Sequence, residues 1–104
     1  MKKVYLITTE SAHFADPEDH FVVVAESENG ALSMVDYEID AYYREMYYDK
    51  YQYEDEAEDS TYTVVSTEEF TKSNEHYEYF SEPDQQEFYP CYGEDYETIL
   101  TMIK

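Results

Sequence analysis

Apolar and β-branched residues come in short runs set between acidic stretches. Residues 4–9, Val-Tyr-Leu-Ile-Thr-Thr, combine β-branched and aromatic side chains and predict a strand. Ser11, Asp16-Pro17 and Asp19 make 10–20 a loop. Residues 21–26, Phe-Val-Val-Val-Ala-Glu, predict a second strand, and its unbroken apolar run points to a central, buried position. The two strands are expected to pair as an antiparallel hairpin.

Ser27, with Asn29 as the rival, has the side chain an N-cap needs. Beyond it Leu32, Val35, Ile39, Tyr42 or Tyr43, and Met46 recur at steps of three and four, which predicts a helix from about 28 to 51 with one apolar face. Gly30 falls in its first turn, where it costs little. The block 54–59 holds five acidic residues in six and is expected to stay solvated. Residues 61–67 read as a third strand. Residues 76–80 and 86–92 alternate weakly and read as two short strands around a turn at 81–84. Residues 94–103 close the chain as a helix, with acidic residues at the end where the helix dipole favours them and Lys104 at the other.

The order β-β-α-β-(β-β)-α predicts one α+β domain over 1–104: a small antiparallel sheet, a long helix after the second strand, a short C-terminal helix, and helices on one face of the sheet. The expected core is Val4 or Tyr5, Leu6, Ile7, Val22, Val24, Leu32, Val35, Ile39, Met46, Val64, Ile99 and Leu100. That core is thin, and homodimerisation through tyrosine-rich faces would thicken it.

Charge changes the picture. Among 104 residues, 26 are acidic and 6 basic, a net charge of −20. Solubility alone asks for a net charge of about 2–8 in a small domain, and the excess opposes compaction by self-repulsion. Direct binding to nucleic-acid phosphates needs Lys and Arg and is excluded as an expectation; anionic membranes are disfavoured. A cationic partner is favoured. The start Met1-Lys2-Lys3 followed by an apolar run ends too soon, at Thr8-Thr9-Glu10, for a signal peptide. No stretch nears the roughly 20 apolar residues of a membrane span. With one cysteine, Cys91, and hence no intrachain disulfide, the expected location is the cytoplasm.

Chemistry is sparse, and the expectation is a protein that is not an enzyme. Cys91 follows Pro90 with no activating helix terminus in the sequence, and His13, His20 and His76 could supply a base only by tertiary coincidence. Zinc wants clustered Cys and His, which are missing. Asp36, Glu38 and Asp40 alternate as calcium ligands do, but within a helical pattern and without the glycine of a sharp loop. Gly30 and Gly93 are the only glycines, so there is no glycine-rich phosphate loop. No cofactor or metal is expected.

Ten acidic residues, two basic ones and seven tyrosines lie between Asp36 and Asp59. Carboxylates four apart on a helix are separated by about 6 Å along the axis, and duplex DNA carries one charge per roughly 1.7 Å. On that scale twenty charges match about 34 Å of duplex, so Asp36, Asp40, Glu45 and Asp49, continued by Glu54, Asp55, Glu56, Glu58 and Asp59, can imitate a run of phosphates. Tyr37, Tyr42, Tyr43, Tyr47, Tyr48, Tyr51 and Tyr53 spread around a helix and cannot all reach one core. Tyrosine is a common interface anchor and stacks on arginine. Asp36, Tyr37, Asp40, Tyr43, Glu45, Tyr47, Tyr48, Asp49 and the 54–59 carboxylates are therefore the expected partner-binding residues.

This stretch, with Glu68, Glu69, Glu75, Glu78, Glu82, Asp84 and Glu87, resembles in composition the bacteriophage-encoded DNA-mimic inhibitors: anti-restriction proteins, uracil-DNA glycosylase inhibitors and anti-CRISPR proteins. Members of that class share charge and mode of action rather than a fold or motif, so no individual residue role carries over. The resemblance implies an inhibitor acting in a host cytoplasm on a basic nucleic-acid-binding protein such as a nuclease, CRISPR effector or restriction enzyme. The rival readings are an acidic adaptor for RNA polymerase or a toxin, adaptation to high salt, and loose divalent-cation binding.

Overall fold

A computed structural model describes residues 1–10, 18–38 and 63–104. Strand β1 (Lys3–Glu10) pairs antiparallel with β2 (Glu18–Ala25) along its whole length, from Lys3 opposite Ala25 to Glu10 opposite Glu18. The other edge of β1 pairs antiparallel with β3 (Thr63–Glu69). A two-residue strand, β4 (Cys91–Tyr92), joins the free edge of β2 in parallel, which gives a mixed sheet of order β3-β1-β2-β4.

A helix, α1, follows the second strand over 28–38, as its periodicity predicts, and the rest of the expected range to about 51 lies outside the described residues. Ser27 is its N-cap: the Ser27 hydroxyl oxygen accepts the Gly30 N–H at 3.0 Å, while the Ser27 carbonyl accepts from Ala31 at 2.9 Å. Ala31 and Val35, one turn apart, pack on Tyr5, Ile7, Phe21, Val23 and Ala25. Ile39 and Met46 lie outside the described residues.

The opposite face of the sheet is covered as well, so the expectation of helices on one face only is wrong. Val4, Leu6, Val22 and Val24 pack against Phe70, Phe80, Tyr89, Ile99 and Ile103. Both alternating rows of β2 are thus buried, which accounts for its unbroken apolar run. The second layer consists of α2 (Tyr77–Phe80), a 3-10 helix (Pro83–Phe88) and α3 (Tyr96–Met102). The strands expected at 76–80 and 86–92 are therefore corrected to a helix and, apart from β4, to a 3-10 helix. Tyr77 and Phe80 are three apart and share a helix face toward the core, a pairing that outweighs the weak alternation. Pro83 supplies the fixed φ that suits a helix start.

Edge position and a bulge correct the third strand. Thr9 faces Val64 while Thr8 faces Ser66, so the register shifts by one between them and Val65 is the extra residue. Val64, expected in the core, is exposed, as is Val65.

Two details fix the chain around the C-terminal layer. Gly93 adopts φ +93°, and a Cβ there would stand 2.6 Å from the Val24 carbonyl oxygen, so the turn after β4 needs glycine. Asp95 caps α3 by accepting the Thr98 N–H at 2.7 Å, and the Tyr96 hydroxyl donates to the Phe80 carbonyl at 2.7 Å, tying α3 to α2.

Candidate functional site

The acidic residues show where the charge sits. None of the described carboxylates is buried. Asp36 and Tyr37 follow Val35 on α1 and face solvent, with Tyr37 78% exposed. They are the two expected partner-binding residues that the structure describes; Asp40, Tyr43, Glu45, Tyr47, Tyr48, Asp49, Glu54, Asp55, Glu56, Glu58 and Asp59 lie outside the described residues. Glu68 and Glu69 are exposed on β3, and Glu75, Glu78, Glu82, Asp84 and Glu87 are exposed across the C-terminal layer.

The described lysines gather at one end of the sheet. Lys3 opens β1 and pairs with Glu69 at 3.3 Å. Lys2, Lys3 and Lys104 border one groove with Phe70 and Met102. The Lys72 N–H donates to the Lys104 carbonyl at 2.8 Å, which brings the fourth lysine to the same end. Arg44 and Lys50, the remaining basic residues, lie outside the described residues. This lysine end of the sheet is where Lys3 faces Ala25.

The opposite end of the β1–β2 pair holds a second feature. Thr8 faces His20 there, and the Thr8 hydroxyl lies 3.1 Å from His20 Nδ1. His20 shares the sheet face of Val22 and Val24 by strand alternation, so it meets the layer formed by 70–103. Its ring contacts that of His76, just before α2, with centroids 4.2 Å apart and planes at 44°. Tyr89, after the 3-10 helix, completes the cluster: its ring stacks near His20 at 6.0 Å and meets His76 edge-on, and its hydroxyl lies 3.2 Å from His76 Nδ1. Burial, with Tyr79 nearby, pushes the Tyr89 phenol above its ordinary pKa, so it stays protonated at neutral pH. The three groups border a cleft of about 430 Å³ whose other walls include Glu18, Tyr79 and Phe88.

Sequence reasoning did not find this cleft. The histidines are far apart in the chain, and only the sheet order and the turn of 70–89 across it bring two of them together. Their use as a general base stands without a nucleophile from Cys91. Burial pushes the Cys91 thiol up to about 11, with Asp95 adding to the rise, and the thiol donates to the Tyr89 carbonyl at 3.3 Å. A thiol held protonated in this way is a packing group. Among the described residues no group of three His, Cys, Asp or Glu is arranged to hold a metal ion, and no helix there is long and apolar enough to cross a membrane.

Comparison with known proteins gives no match, whether by protein-family model, curated sequence or solved structure.

Proposed function

We propose that the protein is an inhibitor that occupies the basic nucleic-acid-binding groove of a bacterial defence or DNA-processing protein and excludes nucleic acid from it. The observation that carries this reading is the segregation of charge. The chain bears −20, its described carboxylates all reach solvent, and its described lysines are confined to one end of the sheet. A surface of this kind presents an almost unbroken negative field to an approaching partner.

Such a field accelerates encounter with a basic groove and orients the two surfaces before contact. Exposed aromatic side chains beside the carboxylates, Tyr37 on α1 and Tyr79 and Phe88 on the C-terminal layer, add apolar area that charge alone lacks. Scattered charge would give attraction without a defined pose; the Ser27-capped α1 carries Asp36 and Tyr37, and β3 carries Glu68 and Glu69 at strand spacing.

The reading is tested on a partner captured from bacterial lysate by comparing the salt dependence of its binding to the wild-type protein and to a variant with Asp36, Asp40, Glu45 and Asp49 changed to Asn or Gln. Weaker binding with a shallower salt slope is expected, by analogy with the loss of phosphate contacts. Equal affinity and equal slope would remove the reading.

A further inference from the structure

We infer that the cleft at the Glu18–His20 end of β2 is a receptor for an arginine side chain of the protein's partner. The inference rests on the reading above for the basic character of that partner, and adds where one of its side chains is held and which residue type it is.

The walls decide the chemistry. Tyr79 and Phe88, on the consecutive α2 and 3-10 helix, are large aromatic residues left 56% and 60% exposed at the cleft, while a folded protein ordinarily turns phenylalanine inward. The His20, His76 and Tyr89 rings continue this aromatic lining inward. The volume of about 430 Å³ lies within the range of about 300–1,000 Å³ usual for ligand clefts. An occupant must therefore offer a flat face to stack on rings.

Charge selects a cation. Among the described residues no lysine or arginine lines the cleft. Glu18 shares the strand face of His20 by alternation and places a carboxylate at the mouth, and Glu75 approaches His76 Nε2 at 3.9 Å with its own side chain 90% exposed. The lysine end of the sheet lies at the other terminus of β1, five residues from Thr8, or about 17 Å along the strand. A planar cation with several N–H donors answers both demands. Guanidinium stacks on aromatic faces and forms paired hydrogen bonds to carboxylates, whereas an ammonium is a strongly hydrated point charge. A metal ion fits the same donors poorly, because each histidine already places Nδ1 against a hydroxyl and no third ligand is in position among the described residues.

The experiment uses the whole protein and two small cations, methylguanidinium and methylammonium, at matched ionic strength. Proton NMR follows the ring signals of His20, His76, Tyr79 and Phe88. Saturable shifts at these rings with methylguanidinium, much smaller shifts with methylammonium, and their loss in Phe88→Ala and Glu18→Gln but not in Glu97→Gln are expected. Absence of saturable shifts at the cleft, equal response to both cations, or an unchanged response in Phe88→Ala would overturn the inference. The probe requires no partner protein. Its failure leaves the inhibitor reading to the salt-dependence test, and failure of that test leaves the cation titration to be judged by itself.

Discussion

His20 and His76 come from opposite halves of the chain and meet ring to ring, with centroids 4.2 Å apart, at one end of a four-stranded sheet. Their contact joins the first strand pair to the helical layer formed by the last third of the chain. It also sets the inner wall of an aromatic cleft at the end of the sheet opposite the described lysines. The layer that carries His76 is held by an aromatic core, and this gives the first expectation.

Phe80 is fully buried, with edge-on contacts to Phe70 at 5.3 Å, Tyr89 at 5.8 Å and Tyr96 at 5.1 Å. Phe80→Ala should lower stability by about 3–5 kcal/mol, as truncation of buried phenylalanine does. Phe88, largely exposed, should change stability by no more than about 0.5 kcal/mol on the same substitution. Urea denaturation followed by far-ultraviolet circular dichroism separates the two.

Gly93→Ala meets two obstacles at once, a positive φ and a Cβ 2.6 Å from the Val24 carbonyl oxygen. A loss of more than about 1 kcal/mol is expected, and Gly30→Ala, in the first turn of α1, serves as the comparison. A neutral Gly93→Ala result would show that the β4 turn does not close on β2 as described.

Cys91 should resist alkylation in the native state. Its thiol is pushed up to about 11, so at pH 8 the thiolate is scarce, and the group is half-buried besides. Iodoacetamide labelling should be slow in buffer and rise sharply in denaturing urea. Rapid native labelling at pH 8 would contradict the burial of the thiol.

Asp95 links pH to the stability of α3. Hydrogen bonds from the Thr98 side chain and backbone hold its carboxyl below the ordinary value of 3.8. Because the folded value is the lower one, the stabilisation is complete above 3.8 and is lost as pH falls through the folded value. Denaturation of wild-type protein and Asp95→Ala across a pH series should therefore show a gap that is constant from neutrality to about pH 5 and closes in stronger acid. Asp95→Asn should retain the cap at all pH values, since the asparagine oxygen accepts without titrating.

The parts of this fold legible in the sequence are those with strong local pattern. The β-branched runs at 4–9 and 21–26 announce β1 and β2, the Ser27 hydroxyl marks the start of α1, and the acidic start and apolar steps of 94–103 mark α3. The segment 68–92 carries little local signal because its aromatics serve tertiary contacts rather than local periodicity. Phe70, Phe80 and Tyr89 are core residues drawn from a coil, a one-turn helix and the end of a 3-10 helix, so no single period connects them. Val64 misled for the converse reason: its β propensity is real, but a bulge on an edge strand leaves it outside the core. The cleft was illegible because His20, His76 and Phe88 share no spacing that a scan along the chain could register.

The proposed inhibitor uses its acidic surface to compete with nucleic acid for a basic groove. The most direct measurement is capture from nuclease-treated bacterial lysate on the immobilised protein, with elution first by duplex DNA at constant ionic strength and then by a salt gradient. A nucleic-acid-binding protein that duplex DNA displaces is expected. A specific partner that leaves only in salt, and that DNA fails to displace at any concentration, would contradict mimicry and identify the protein as an acidic adaptor.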